Sequence, residues 1–311
     1  MTALTDPRIK LRHLQAFAAV ARDHTVQHAA DGLSLTASAV SKALQELEAI
    51  IERPLFKRTR KGLIATSEGE QLLQHVLPAL GMLRDGLNLA AGRQQKTGVY
   101  QVRVGVLPTT ASAVVPLALQ KIQSKHERLE VKVIAGTNLQ LLNLLRGGEL
   151  DMVVGRLPEP TLMFGLSFET LYSEPMVLVA APTHPLAGRK DITLADLRAH
   201  VVVLPLANTI IRKTVDTFLI ASGLGELPRT VETLSESFAR ALVLGGDAIW
   251  FSPLGAAKHD IASGVLVRLA IDTQSTSGAV GLSLRADAEA SKSALLMAEA
   301  IRTQARLWRE S

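Results

Sequence analysis

Apolar and polar positions follow helical spacing in two short segments between Val26 and Glu48. In the first segment the apolar residues recur at i, i+3, i+4 and i+7: Val26, Ala29, Ala30 and Leu33. The second segment starts with the typical N-cap residue Thr36, and its apolar residues are Val40, Leu44, Leu47 and Ile51. Each set forms one apolar stripe on a helix, so the pattern predicts two packed helices joined by a tight turn.

The opposite face of the second predicted helix carries short or flexible hydrogen-bonding side chains. Together with the cap, they are Thr36, Ser38, Ser41, Lys42 and Gln45. Such groups can reach base edges and phosphates in the major groove of DNA. The pattern therefore predicts a helix-turn-helix whose second helix reads DNA. A helical hairpin with a merely solvated polar face is the alternative.

A basic segment follows the predicted reader helix. Between residues 53 and 61 it contains five cations and no acid: Arg53, Lys57, Arg58, Arg60 and Lys61. Pro54 ends the helical pattern, and Gly62 at the tip of the segment predicts a short hairpin. The net charge of the chain is only +5, so this local cluster is more informative than the total. It predicts a wing that contacts phosphates, with a solvated charged turn as the alternative.

A long helix is predicted to begin at Thr66 or Ser67, where Ser67 and Glu70 have the spacing of a capping box. Its apolar residues alternate by four and three positions, and the central ones are Leu73, Val76, Leu80, Leu83 and Leu87. This heptad spacing predicts a dimerisation helix. Burial within the same chain is the usual explanation of such a stripe, but no second long helix is predicted nearby to cover it.

Beyond the polar segment from Ala91 to Gly98, strands and helices alternate. The order β-α-β-α-β predicts a mostly parallel sheet with right-handed crossovers, and a second α/β unit follows it. We expect the segments LVRLAI and VGLSL and a final helix from Ala288 to Trp308 to return to the first unit. Two α/β lobes between which the chain crosses twice form a hinged cleft.

Hydroxyl and amide side chains stand at three predicted strand-to-helix junctions of these lobes. The pairs are Thr109 and Thr110, Thr137 and Asn138, and Asn208 and Thr209. Ligands of open α/β sheets bind beyond the carboxyl ends of the strands, where helix N-termini favour anions. Arg156, just after a predicted strand, could bind a carboxylate through two hydrogen bonds. These junctions contain no acid, so we expect a small organic acid in the cleft, although ordinary helix capping also explains each pair.

Composition and motifs exclude several functions. The chain contains no cysteine, which excludes disulfides, thiol catalysis and cysteine-based redox sensing. Its eight histidines are scattered without metal-binding spacing, and no nucleotide-binding or nucleophile-elbow motif is present. We therefore expect no enzyme activity, no metal and no cofactor. No membrane-length apolar run or signal peptide is apparent, so we expect a cytoplasmic protein without a membrane partner.

The first 60 residues resemble the signature of LysR-type bacterial transcriptional regulators. The matching residues are Ala29, Ala30, Leu33, Thr36 to Ser41, Leu44, Leu47, Glu48, Leu55, Phe56 and Arg58. Ala37 and Ser38 stand where many members have Gln-Pro, so the base sequence that members read cannot be carried over. Glu52 stands where a glycine is common, which affects only a turn.

The resemblance implies a winged helix-turn-helix over residues 1–66, a linker helix over 67–95 and a bilobal effector domain over 99–311. The expected lobes are 99–170 with 266–311, and 171–265, with the fold of periplasmic binding proteins. In the family, positions matching Thr109, Thr137 and the loop from Pro205 to Thr209 line the effector cleft. The implied partners are a partly palindromic DNA operator, a small carboxylate effector, RNA polymerase and further copies of the chain, as dimers that pair into tetramers.

Segments such as RVGVLPT and DMVVGRL are similar to those of regulators of protocatechuate catabolism and of a sugar-binding protein. We therefore expect a ligand-responsive regulator of catabolic or transport genes. A solute-binding protein would share the bilobal fold, but it would need an export signal and would not need residues 1–66. A ligand-independent architectural DNA-binding protein would not need the region after Val99.

Overall fold

The structure is a computed structural model that describes residues 6–60, 62–91, 100–124, 129–207, 209–286 and 290–310. The chain divides into two compact units, which are described separately. The first comprises Met1–Thr97 with Arg146–Glu149, and the second comprises Gly98–Leu145 with Leu150–Ser311. No helix within the described ranges is both long and apolar enough to cross a membrane.

The first unit is a small helical domain with a two-stranded hairpin. Its elements are α1 (Leu11–Asp23), α2 (Val26–Leu33), α3 (Ala37–Ile51), β1 (Phe56–Thr59), β2 (Gly62–Ala65) and α4 (Ser67–Ala90). Strands β1 and β2 are antiparallel, with Phe56 opposite Ala65 and Thr59 opposite Gly62. The predicted helix-turn-helix and wing are therefore present.

Capping residues determine where α2 and α3 begin and end. The Thr25 hydroxyl accepts the His28 N–H at 3.2 Å, and the Thr36 hydroxyl accepts the Ala39 N–H at 3.2 Å. Ser34 and Glu52 follow the two helices in the left-handed conformation, with φ of 56° and 58°. A glycine would adopt this conformation more easily, which explains why glycine is common at the position of Glu52 in the family.

The core of the first unit joins the inner faces of α1, α2 and α3 to the wing and to the start of α4. Leu47 of α3 and Leu55 before β1 are fully or almost fully buried, and the Phe17 and Phe56 rings pack with centroids 5.4 Å apart. The predicted inner residues Val40 and Leu44 also lie in this core. This packing places the polar side of α3 outward.

Helix α4 differs from the predicted dimerisation helix over its first half. Leu73 and Val76 are 8% and 4% exposed in the core of the first unit, and Leu80 packs against that core. The prediction that these residues face a partner is therefore wrong for Leu73 and Val76, because their own domain covers them. Leu83 and Leu87 are 52% and 69% exposed.

The start of α4 also differs from the expectation. The cap is Thr66, whose hydroxyl accepts the Gly69 N–H at 3.1 Å and donates to the Pro54 carbonyl at 2.8 Å. The Ser67 hydroxyl instead donates to the Glu68 carboxylate at 2.8 Å. The predicted capping box of Ser67 and Glu70 is therefore wrong, and Thr66 additionally ties the helix start to the segment before the wing.

The second unit contains two sheets with helices packed on their faces. The strands are β3 (Tyr100–Val106), β4 (Leu129–Ala135), β5 (Met152–Arg156), β6 (Leu166–Glu174), β7 (Met176–Ala180), β8 (Val201–Leu204), β9 (Thr230–Glu232), β10 (Ala248–Pro253), β11 (Val267–Arg268) and β12 (Gly278–Arg285). The helices are α5 (Pro108–Ala111), α6 (Val114–Gln123), α7 (Asn138–Arg146), α8 (Ile210–Ala221), α9 (Glu236–Leu244), α10 (Leu254–Ala262) and α11 (Lys292–Glu310), with short 3-10 helices at Pro160–Leu162, Leu194–Ala199 and Gln274–Thr276.

Each sheet is the centre of one lobe. The first lobe has strand order β4-β3-β5-β12-β6, and the second lobe has order β11-β7-β10-β8-β9. Strands β3, β4 and β5 are parallel, as are β8, β9 and β10, whereas β7 and β12 are antiparallel to their neighbours. The buried strands are almost continuously apolar because helices cover both faces of each sheet.

The chain crosses between the lobes at different points from those predicted. Strand β6 continues in the first lobe to Glu174, so the first crossing is at Pro175 and not near residue 171. The LVRLAI segment was expected in the first lobe, but its residues Val267 and Arg268 form β11 in the second, with Val267 opposite Ala180. The alternating pattern predicts a strand in both cases but does not determine which sheet it joins.

Candidate functional sites

The outer face of α3 presents the polar residues that were predicted to read DNA. Thr36, Ser38, Lys42 and Gln45 are exposed and Ser41 is half-buried, whereas Val40, Ala43, Leu44 and Leu47 on the other side are buried. The Thr36 hydroxyl lies 3.0 Å from the Ser38 hydroxyl in addition to capping the helix. The helix thus has one face committed to the core and one face free to contact a ligand.

Two glutamates fix the position of α3; sequence reasoning named Glu48 only as part of the family resemblance and did not single out Glu46. Glu46 accepts hydrogen bonds from Arg12 at 3.1 Å and from the buried His13 at 2.9 Å, and these partners hold its pKa below the ordinary value. Glu48 accepts the N–H groups of Leu55 and Phe56 at 2.7 and 3.2 Å. The helix is therefore bonded to α1 on one side and to the start of the wing on the other.

The wing carries its cations on the surface. Arg53, Lys57, Arg58 and Arg60 are exposed, and within the described ranges none of them forms an ion pair. Lys61, which was predicted to act with them, lies outside the described residues. Unpaired surface cations next to an exposed polar helix face form the electrostatic footprint of a nucleic-acid site.

Gly62 holds the wing against the end of α1. Its φ is +112°, and a Cβ at this position would lie 2.4 Å from the His24 carbonyl oxygen. The next residue, Leu63, donates its N–H to the same oxygen at 2.8 Å. A side chain at residue 62 would therefore force the wing away from the helix.

In the second unit a pocket lies at the carboxyl ends of β8 and β10. The pocket is narrow and open to solvent. Its lining residues are Pro205, Ile211, Thr233, Leu234, Ser235, Glu236, Trp250, Phe251 and Pro253. Apolar walls with a few polar groups at a helix start are typical of a small-molecule site.

The predicted junction residues have separate positions in the two lobes. Thr209 caps α8, accepting the Arg212 N–H at 3.2 Å and donating to the Leu206 carbonyl at 2.8 Å. Thr137 precedes α7 and donates to the Gln140 side chain at 3.1 Å, and Asn138 is the half-buried first residue of that helix. Among the predicted residues whose side chains the structure describes, Pro205 alone lines the pocket. Asn208 and the side chain of Thr109 lie outside the described residues.

Comparison with known proteins gives a family match for both parts of the chain. The family described as "Bacterial regulatory helix-turn-helix protein, lysR family" matches residues 11–70, and the "LysR substrate binding domain" matches residues 95–306. The HTH-type transcriptional regulator PcaQ of Agrobacterium fabrum (strain C58) is 38% identical over 302 residues, which are 97% of both chains. This chain is a LysR-type transcriptional regulator.

A second curated relative and two solved structures are also similar to this chain, the structures in fold. The regulator YdcI of Escherichia coli (strain K12) is 36% identical over 304 residues, covering 96% of this chain and 97% of YdcI. A full-length OxyR variant from Pseudomonas aeruginosa superposes with a TM-score of 0.60 at 20% identity, covering 96% and 95% of the two chains. Full-length BenM superposes with a TM-score of 0.56 at 21% identity, covering 97% and 98%. The predicted fold class, non-enzymatic nature and role in ligand-responsive regulation are confirmed.

Two of the predicted effector residues of this LysR-type regulator are structural. Thr110 is fully buried, and its hydroxyl lies 3.1 and 3.0 Å from the Leu107 and Val154 carbonyls. Arg156 is 3% exposed and donates to the Glu174 carbonyl at 2.9 Å and to the Thr276 carbonyl at 3.4 Å. The prediction that they bind an effector is wrong, because Thr110 faces main-chain carbonyls and Arg156 links the two segments by which the chain crosses between the lobes.

Two glutamates near the lobe junction were not predicted: the buried Glu174 and the half-buried Glu236. Glu174 is 2% exposed, and burial raises its pKa, although nearby Arg156 and the Gly255 N–H act in the opposite direction. Partial burial, opposed by the hydrogen bond from Ser112 and assisted by the nearby Glu174, raises the pKa of Glu236 to about 7. The strand-to-helix junction Thr233-Leu234-Ser235 resembles the three junctions considered in the sequence, and examining it would have revealed Glu236.

Within the described residues, one cluster has the spacing of a metal site. Single ligand atoms of His184, His200 and Asp247 all lie within 4.8 Å of one another. However, His184 Nδ1 accepts the Leu186 N–H at 3.1 Å, so in the neutral ring the proton is on Nε2, which faces Asp247 Oδ1 at 3.2 Å. A metal on that nitrogen would require an imidazolate, so the cluster fits a hydrogen-bonded link between loops better than a metal site.

Proposed function

We propose that this LysR-type regulator responds to a small organic acid bound between its two lobes. The observation that supports this most directly is the pocket at the start of α9, where Ser235 is the N-cap. Its apolar wall of Ile211, Trp250 and Phe251 can cover the hydrocarbon part of the acid. The hydroxyls and the positive end of the helix can accommodate the carboxylate.

The remaining residues proposed for this site are Thr109, Thr137, Asn138, Asn208 and Thr209. They are proposed because they stand at helix starts in both lobes, so one ligand could contact the two lobes together. An effector that binds one arrangement of the lobes more tightly than another shifts the protein towards that arrangement. It can change the affinity for DNA only to the extent that its own affinity for the two arrangements differs. The effector should therefore alter DNA binding without contacting the reader helix.

Thermal unfolding in the presence of succinate, adipate and benzoate tests the effector. We expect at least one acid to raise the melting temperature, because a ligand that binds only the folded state stabilises it. The amides of the same acids are matched neutral controls and should have a smaller effect. Greater stabilisation by the amides would contradict the preference for an anion.

We also propose that the exposed end of α4 joins two copies of the chain. Leu83 and Leu87 continue the apolar stripe beyond the point where the first unit covers it. A two-fold dimer presents two reader helices to a partly palindromic operator.

Leu83→Asp should halve the mass measured by light scattering, because a partner helix would bury the charge. Gln71→Asp, at an exposed position earlier in α4, is the control, and an unchanged mass for Leu83→Asp would rule out this interface.

We further propose that the protein acts in the cytoplasm, where it controls catabolic or transport promoters together with RNA polymerase. Its membership of a DNA-binding regulator family supports this proposal. Sequencing of genomic fragments that the purified protein retains would identify the operator and the neighbouring genes. A set of fragments without a shared motif would contradict sequence-specific regulation.

A further inference from the structure

We propose that Glu236 determines the specificity of the second lobe for an acid, and that it holds the effector carboxylate through a proton taken up on binding. This inference rests on the proposed function, because it concerns the same cleft. It assigns to one side chain both the choice of ligand and a dependence of binding on pH.

The position of Glu236 connects the pocket to both lobes. It is the first residue of α9, directly after the cap Ser235, and it lines the pocket beside Pro205 and Trp250. Its Oε2 accepts a hydrogen bond of 3.3 Å from the hydroxyl of Ser112, which follows α5 in the first lobe. A ligand beside this carboxyl would therefore contact the point at which the two lobes meet.

One oxygen of the Glu236 carboxyl has no partner. Oε1 is buried, and among the described residues no group hydrogen-bonds to it. Buried polar atoms are usually hydrogen-bonded, so an unpaired one next to a pocket is a position where a ligand or a water can bind. This oxygen is therefore available to a ligand, while the other oxygen remains on Ser112.

The charged groups around Glu236 do not supply a cation for an acid in the pocket. Glu174 of β6 raises the pKa of Glu236 and itself accepts the Gly255 N–H of α10 at 2.8 Å. The Arg156 guanidinium lowers the pKa of Glu174, and Glu174 in turn raises that of Tyr172. The nearby cations have other partners: Arg212 of α8 pairs with Asp216 and Glu232, and Arg240 of α9 pairs with Asp260. In the described part of the chain, the residues that line the pocket include no Lys, Arg or His.

A carboxylate that enters this pocket would meet a second negative charge if Glu236 were ionised. A protonated Glu236 instead donates its O–H to the incoming carboxylate, forming a short charge-assisted hydrogen bond. Burial together with Glu174 raises the pKa of Glu236 to about 7, so this protonated form is available at neutral pH. The complex thus contains one proton more than the separate ionised partners, and no other bond is made or broken.

The proposal predicts how affinity depends on pH. Binding of a carboxylate should weaken about tenfold for each pH unit above the pKa of Glu236 and become constant below it. Glu236→Gln keeps the shape and provides an N–H donor at every pH. Its affinity should therefore be constant between pH 6 and pH 8.5 and exceed that of the wild type by about thirtyfold at pH 8.5.

Isothermal calorimetry with succinate, adipate and benzoate tests these expectations on the full-length protein. Titrations in phosphate and in Tris at pH 7.5 should differ in heat by the uptake of about 0.8 proton for the wild type and none for Glu236→Gln. Glu226→Gln, at an exposed acid elsewhere in the second lobe, is the control and should keep the wild-type pH dependence. Thermal unfolding of each variant verifies that it is folded.

The possible outcomes separate this inference from the proposed function. If an acid binds the wild type with the same affinity at pH 6 and pH 8.5, or if Glu236→Gln loses the binding, the role of Glu236 is wrong while an acid effector remains supported. If none of the three acids binds either protein at pH 6, the proposed acid effector fails and this inference fails with it.

Discussion

The DNA-reading surface and the effector cleft use ionisable side chains in opposite ways. On the surface, Lys42 and Arg58 are exposed and have no ion pair among the described residues. In the cleft, Glu174 is buried, and Oε1 of Glu236 is buried without a partner in the described structure. An exposed cation keeps its charge at little cost, whereas a buried carboxyl is driven towards its neutral form.

Because of this difference, we expect substitutions on the DNA-reading surface to affect mainly DNA binding, and substitutions of buried carboxyls in the cleft to affect mainly the stability of the fold. Removing a surface cation should change DNA binding but leave the fold intact, because water solvates the charge in the free protein. Removing a buried carboxyl should weaken the fold, because the groups hydrogen-bonded to it cannot reach water. The three predictions below test this contrast, beginning with the largest expected effect.

Glu174→Ala should lower the free energy of unfolding of the second unit by about 3 kcal/mol. It leaves the Gly255 N–H without its acceptor and removes the negative charge near the buried Arg156. Lys42→Ala is the matched surface change and should stay within about 0.5 kcal/mol of the wild type. Both tryptophans, Trp250 and Trp308, belong to the second unit, so tryptophan fluorescence reports the unfolding of that unit, whereas circular dichroism reports loss of secondary structure in the whole chain. Equal losses for the two variants would contradict the contrast.

Gln45→Ala and Arg58→Ala should change DNA binding in different ways. Loss of a base contact at Gln45 should cost about 1–3 kcal/mol on the preferred sequence and little on other sequences. Loss of a phosphate contact at Arg58 should weaken binding to all sequences and reduce the slope of log K against log salt by about 1. Titrations by fluorescence anisotropy at several salt concentrations measure both quantities. An unchanged salt slope for Arg58→Ala would rule out its role in the wing.

The pH dependence of stability should show the effect of Glu236. Its pKa is raised to about 7 from an ordinary value of 4.5, so the folded state binds the proton more tightly than the unfolded state. The stability contributed by this group is complete below about pH 4.5 and is lost as the pH rises through 7. Glu236→Gln should therefore gain about 1–2 kcal/mol relative to the wild type between pH 5 and pH 8, after allowance for solvent screening.

Melting curves without any ligand measure this difference between the two proteins. Glu226→Gln is the control, since this exposed acid should show no such gain. A constant difference between Glu236→Gln and the wild type over this pH range would mean that Glu236 does not titrate there. The cleft would then resemble the DNA-reading surface in having groups of fixed charge.

The sequence by itself determined the structural elements that depend only on residues close together in the chain. The cap Thr36, the apolar stripe from Val40 to Ile51 and the basic wing each involve residues a few positions apart, so helical spacing and composition identify them. The alternation of strands and helices likewise determined two α/β lobes, because the period of the apolar pattern distinguishes the two kinds of element. Family resemblance then added function to this pattern.

Only the tertiary structure decided which faces of these elements were already occupied. Leu73 and Leu83 belong to the same heptad stripe, yet one lies in the core of its own domain and the other is exposed. Arg156 ends a predicted strand, but it is bonded to carbonyls from Glu174 and Thr276, far along the chain. Glu236 approaches Ser112 across 124 positions of sequence. Sequence periodicity describes neighbours within about one turn or one strand, whereas burial and protonation depend on contacts between distant segments.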